Sequence, residues 1–152
     1  MATFISFQPK DYVNTTLFTG TGSSLGVTGV GFQPDFTWIK NRDATDFHVL
    51  TDAVRGVTKY IKSDADTAET TNVESLKTFD SDGFTVGTQA EVNTNTEEYV
   101  SWNWKADGAG SSGSGSLTNT RSTNTTSGFS IIKYTSTQTI NSTIAHGLGS
   151  AP

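Results

Sequence analysis

Residues 98–105 read Glu98-Tyr99-Val100-Ser101-Trp102-Asn103-Trp104-Lys105. Val100, Trp102 and Trp104 alternate with Tyr99, Ser101 and Asn103. That period of two is the mark of a β-strand, because successive side chains of an extended chain point to opposite faces of a sheet. The apolar half of the alternation predicts a core of Val100, Trp102 and Trp104, with Tyr99 on the opposite face. Working back along the chain, Phe36–Asn41 carries a large apolar residue on each face, with Trp38 on one and Ile39 on the other. It therefore reads as a central strand, and Phe36, Trp38 and Ile39 join the expected core.

Further short strands are expected at Phe4–Phe7, Thr15–Thr19, Gly26–Val30, Phe47–Asp52, Lys59–Lys62, Leu76–Phe79 and Gly83–Gly87. The run Asp80-Ser81-Asp82-Gly83 predicts a tight hairpin, since glycine accepts a positive φ. Helix signals are sparse. Asp64–Leu76 contains helix formers without an apolar stripe and reads as an exposed loop. The composition agrees: threonine, serine and glycine lead, hydrophobic residues make up 33%, and aromatic residues reach 11%. Close strand spacing of this kind favours an all-β chain, an antiparallel β-sandwich or jelly roll.

The texture changes after Lys105. Asp107–Ser116 is almost wholly glycine and serine and reads as a mobile linker or long surface loop. Strands are expected again at Phe129–Thr135 and Thr139–Ala145. Gly147-Leu148-Gly149-Ser150-Ala151-Pro152 then repeats the pattern of Gly29-Val30-Gly31-Phe32-Gln33-Pro34, and Phe18-Thr19-Gly20-Thr21 parallels Tyr134-Thr135-Ser136-Thr137. The expected organisation is an N-terminal strand or attachment segment over residues 1–11, a β-sandwich domain over 12–106, a linker over 107–117, and the start of a second, truncated β-repeat over 118–152.

Charge and motif content narrow the function. With 10 Lys and Arg against 15 Asp and Glu the net charge is −5, which disfavours binding to nucleic-acid phosphates. No apolar run is long enough to insert into a membrane, and the absence of cysteine removes disulfides and thiolate metal sites. The two histidines, His48 and His146, lack a nucleophile in a suitable turn, and the carboxylates Asp35, Asp43, Asp46, Asp52, Asp64, Asp66, Asp80 and Asp82 show no spacing that selects a catalytic pair. No enzyme is expected, and no catalytic or cofactor-binding residue is assigned. Asp80 and Asp82 begin a D-x-D-G run and are weak candidates for Ca²⁺, a plain hairpin turn being the better reading. Asn41, Asp43 and Asp46 offer a similar cation alternative. Lys40, Arg42, Arg55, Lys59 and Lys62 fit a charged sheet edge that resists aggregation.

The ordered motifs FISFQPKDYVNT, TGVGFQPDFTWIKNR, DAVRGVTKYIKS, AETT, LKTFDSDGFTVG, EYVSWNWKA, GFSIIKYT and HGLGSAP resemble a family common in marine bacteriophage genomes. Its members are large virion or tail-fibre-like proteins with repeated β-domains. The resemblance spans nearly the whole chain and implies concanavalin- or laminin-G-like architecture. It further implies a non-enzymatic structural protein of the virion, assembled in the host cytoplasm, most simply a tail or head fibre with its N-terminal part on the particle and a role in host adsorption. A capsid decoration protein and a glycan-binding or depolymerase module are the alternatives. Implied partners are other virion proteins of the tail, portal or capsid, a host surface glycan or protein, and further copies of the chain in a homotrimer.

Overall fold

The computed structural model describes residues 7–149. The expected strand at Phe4–Phe7 and the last three residues of the second glycine–proline pattern therefore lie wholly or largely outside the described residues. A 3-10 turn at Pro9–Asp11 leads into β1 (Val13–Thr19), followed by β2 (Leu25–Thr28), β3 (Phe36–Asn41), β4 (Val49–Asp52), β5 (Lys59–Ile61), β6 (Thr70–Thr71), β7 (Leu76–Asp80) and β8 (Gly83–Val86). One helical turn, α1 (Ala90–Asn93), precedes β9 (Glu98–Trp104). Then come β10 (Ser111–Ser112), β11 (Asn119–Asn124) and β12 (Phe129–Tyr134).

The strands form three antiparallel sheets, ordered β1-β9-β3-β4-β5-β6, β2-β8-β7 and β10-β11-β12. In the first sheet β9 lies between β1 and β3, with Trp102 opposite Thr15 on one side and Trp38 on the other. The central placement expected of β3 is what the sheet contains, and β9 is an interior strand as well. Its two faces are filled the other way round from the sequence reading. Tyr99, Ser101 and Asn103 are fully buried, whereas Val100, Trp102 and Trp104 are half-buried on the opposite face. Phe36 and Trp38 share that half-buried face, and of the six expected core residues Ile39 alone is buried.

The closed core takes Ile39, Val49, Tyr60 and Tyr99 from the six-stranded sheet and Val27, Leu76, Phe84 and Val86 from the β2-β8-β7 sheet. Val30 and Phe32, from the β2–β3 connection, and Val92, from α1, complete it. Tyr99 anchors its far end. Its ring stacks on Phe18 with centroids 5.2 Å apart, and its hydroxyl donates to the Ala90 carbonyl at 2.7 Å while accepting from the Thr94 amide at 2.8 Å. Small residues, Ser101, Thr37 and Thr51, share the buried side of the sheet, and the indoles lie on the other.

The β7–β8 hairpin forms as expected, with Asp80 opposite Gly83. Gly83 has φ +143°, and a Cβ there would sit 1.9 Å from the Val27 carbonyl oxygen. Both conformation and close approach of β2 thus require glycine. The stretch read as a mobile linker or long surface loop contains the exposed strand β10, and Asp107 N–H donates to Ser122 Oγ at 2.7 Å. Thr139–Ala145, expected as a strand, contributes a single bridge between Ile144 and Gly115. The β11 strand had no apolar alternation to announce it. Its Asn119-Thr120-Arg121-Ser122-Thr123-Asn124 sequence pairs throughout with β12.

Candidate functional site

The outer face of the six-stranded sheet gathers the large apolar side chains that the core does not use. Strand register aligns them in rows: Val13, Trp104 and Phe36; Thr15, Trp102, Trp38, Leu50 and Ile61; Leu17, Val100 and Lys40. Trp38 and Trp102 meet edge to face at 5.7 Å, a favoured aromatic geometry. Trp38 Nε1 donates to His48 Nδ1 at 2.7 Å, so His48 is an acceptor at Nδ1 and carries its proton at Nε2 when neutral. Leu17 is 61% exposed, and Val13 and Ile61 are also open to solvent.

Part of this face is covered by β12. Phe129 stacks on Trp104 at 6.2 Å and meets Phe36 edge-on at 6.2 Å. Between the sheet and β12 runs a groove of about 340 Å³, walled by Phe36, Ile61, Phe129 and Ile132. Asp52 and Arg55 lie along it as a largely buried ion pair. The Arg55 amide also donates to Asp52 Oδ1 at 2.7 Å, and Arg55 Nη2 donates to the Leu50 carbonyl at 2.8 Å. Losing either partner would leave an uncompensated charge.

The sequence-derived candidates do not converge. Asp82 accepts the Gly29 and Gly31 amides at 3.1 and 2.6 Å, while Asp80 accepts the Thr85 hydroxyl at 2.7 Å. The two carboxylates thus hold a glycine turn and a neighbouring strand, and face different partners. Asn41 and Asp46 are joined by a side-chain hydrogen bond of 2.8 Å, whereas Asp43 caps the Glu98 amide at 2.7 Å. Among the described residues, no three His, Cys, Asp or Glu side chains gather as a metal site. Asp64 accepts the His48 amide at 3.0 Å, and His146 Nδ1 accepts the Leu148 amide at 3.1 Å. Among the described residues, neither imidazole ring is hydrogen-bonded to a serine or threonine hydroxyl. Of the basic residues, Arg42, Lys59 and Lys62 pair with Glu98, Glu69 and Glu91, and Lys40 Nζ donates to the Ala44 carbonyl at 2.9 Å.

Asp35 is the carboxylate with the most distinctive setting. It is buried where β3 begins, and its Oδ2 accepts the Ala106 amide at 2.7 Å. Burial raises its pKa above the ordinary 3.8, opposed by the Ala106 and Gly108 amides. Tyr99 is likewise raised by burial. Sequence reasoning missed Phe129 as the cover of Trp104, and Asn93, whose side chain ties Ser23 and Gly87 to the Thr21 amide. The signal for Asn93 would have been a lone asparagine within a short helix-forming run, which is weak.

Residues 8–152 match the family model described as Domain of unknown function (DUF7483). The chain belongs to that family. No curated protein and no solved structure matches it. In this DUF7483 chain the matched span takes in all three sheets, including β10–β12 and the glycine turn that follows them.

Proposed function

We propose that this DUF7483 chain is a non-enzymatic structural module of a bacteriophage virion, most simply part of a tail or head fibre that serves host adsorption. The observation that carries the reading is the ordered set of motifs over nearly the whole chain, which resembles repeated-domain virion proteins. The backbone supports repetition: Gly29 and Gly31 have φ of +87° and +89°, and Gly147 and Gly149 have +80° and +82°. On this reading the six-stranded sheet and the β2-β8-β7 sheet form a sandwich of the concanavalin- or laminin-G-like kind. The β10–β12 sheet opens the next repeat, packed through Phe129. Modules that stack in this way suit an elongated trimeric appendage contacting other virion proteins.

Quantitative mass spectrometry of purified particles tests the assignment. A few copies per particle, in multiples of three, is the expected result. Hundreds of copies would point to capsid decoration, and absence from particles would overturn the virion reading.

A second reading has its own observation. Trp38 and Trp102 are half-exposed side by side, and exposed aromatic faces are suited to stacking on sugar rings. A glycan-binding role predicts that residues 1–152 bind a host surface polysaccharide in calorimetry and that Trp102→Ala abolishes the heat of binding. Equal binding by the variant would remove this reading.

A further inference from the structure

Aligning Phe18 with Tyr134 places β12 on β1 residue by residue, and with two more residues in the connection that follows, Gly29 falls on Gly147. The correspondence extends to contacts. Asn14 in β1 donates its Nδ2 to the Val30 carbonyl at 2.9 Å, tying down the first glycine turn. Ser130, at the equivalent position of β12, donates its hydroxyl to the His146 carbonyl at 2.7 Å, beside the second. The face of β12 that carries Ser130, Ile132 and Tyr134 is therefore the counterpart of the core-facing side of β1.

The two strands differ in what covers that face. Phe18 of β1 pairs in register with Tyr99 of β9 and stacks on its ring. Its counterpart Tyr134 is 54% exposed, and Ile140 beyond it is 86% exposed. Among the described residues β12 pairs only with β11, so its second edge is open. The groove of about 340 Å³ described above runs along Phe129–Lys133 of this strand.

We propose that the open edge of β12 is an acceptor site for an added β-strand of the β9 type. The donor is an unpaired segment of Glu-Tyr-Val-Ser-Trp-Asn-Trp-Lys character that joins antiparallel to β12 and sets an aromatic ring against Tyr134. Main-chain hydrogen bonds along a strand edge supply affinity, and alternate side chains entering pockets supply specificity. The donor is not the β9 of a folded copy, which β1 and β3 already hold on both edges. The inference rests on the correspondence of β1 and β12 and is independent of the assignment to a particle.

The test is hydrogen exchange of the full 152-residue chain, read by mass spectrometry, with an excess of a synthetic Glu98–Lys105 peptide. The Phe129–Tyr134 amides should exchange about tenfold more slowly with peptide than without. Tyr134→Ser, at a side chain 54% exposed, should lose most of that slowing. A peptide of the same composition in shuffled order should give none. No slowing in β12, equal slowing by the shuffled peptide, or slowing confined to β1 would overturn the proposal.

Discussion

Tyr99 and Trp102 stand three residues apart on the same strand and face opposite ways, and the difference between them is measurable. Tyr99 is fully buried and its hydroxyl is satisfied twice. Tyr99→Ala should lose about 3–5 kcal/mol of stability in urea denaturation, the range for large core truncations. Trp102→Ala removes a half-buried ring and should lose only about 1–2 kcal/mol. Equal losses would show that both faces are core. The alternation at residues 98–105 made the strand legible from sequence, but not which face closes. Trp outweighs Tyr in apolar surface, and nothing local records that the core of Val27, Phe84 and Val86 gathers on the Tyr99 side. Asp35 gives a pH prediction at the same scale. Its pKa is raised in the folded state, so the folded state holds the proton more tightly than the unfolded one. The sign follows: stability contributed by protonated Asp35 is fully present below the ordinary value of 3.8 and is lost as pH rises through the folded pKa. Asp35→Asn should flatten that decline in melting temperature above pH 3.8. A decline as steep in the variant would remove Asp35 as its source.

Hairpins and edges decide which elements the sequence announces. The β7–β8 turn was legible because Asp-Ser-Asp-Gly has a local mechanism that needs no tertiary information. Gly83→Ala should cost roughly 3 kcal/mol or more, since it strains φ and drives a methyl into the Val27 carbonyl. A near-neutral result in thermal melting would contradict the close approach of β2. The β11 strand was not legible. Its Thr, Ser and Asn side chains carry no apolar alternation, and it is a strand because β12 offers a complete ladder and because Asn124 and Ser122 are hydrogen-bonded to Ala106 and Asp107. The Gly/Ser stretch before it read as a mobile linker or long surface loop for the same reason. Its backbone partners, Asn119 for Gly113 and Thr143 for Ser116, are ones that composition does not reveal.

At the scale of the whole molecule, the aromatic surface is divided between two uses. Trp104 and Phe36 receive Phe129 and so join the β10–β12 sheet to the six-stranded sheet, while Trp38 and Trp102 remain half-open. Phe129→Ala should speed amide exchange in β11 and β12 and leave β9 unchanged, because the core around Tyr99 does not depend on that contact. Faster exchange in both would mean that the sheets unfold as one unit. The candidate site was legible only in its residue types. The tryptophans were evident, but their place on an outer face, the Phe129 cover and the Asp52–Arg55 pair all depend on register and on residues far apart in sequence.

Cryo-electron microscopy of the intact phage particle tests the central claim most directly. The account predicts a few threefold-related copies at the tail or a unique vertex, with density for the six-stranded sheet and the β10–β12 sheet in succession along an appendage. Copies spread over the whole shell, or no density for this chain on the particle, would contradict it.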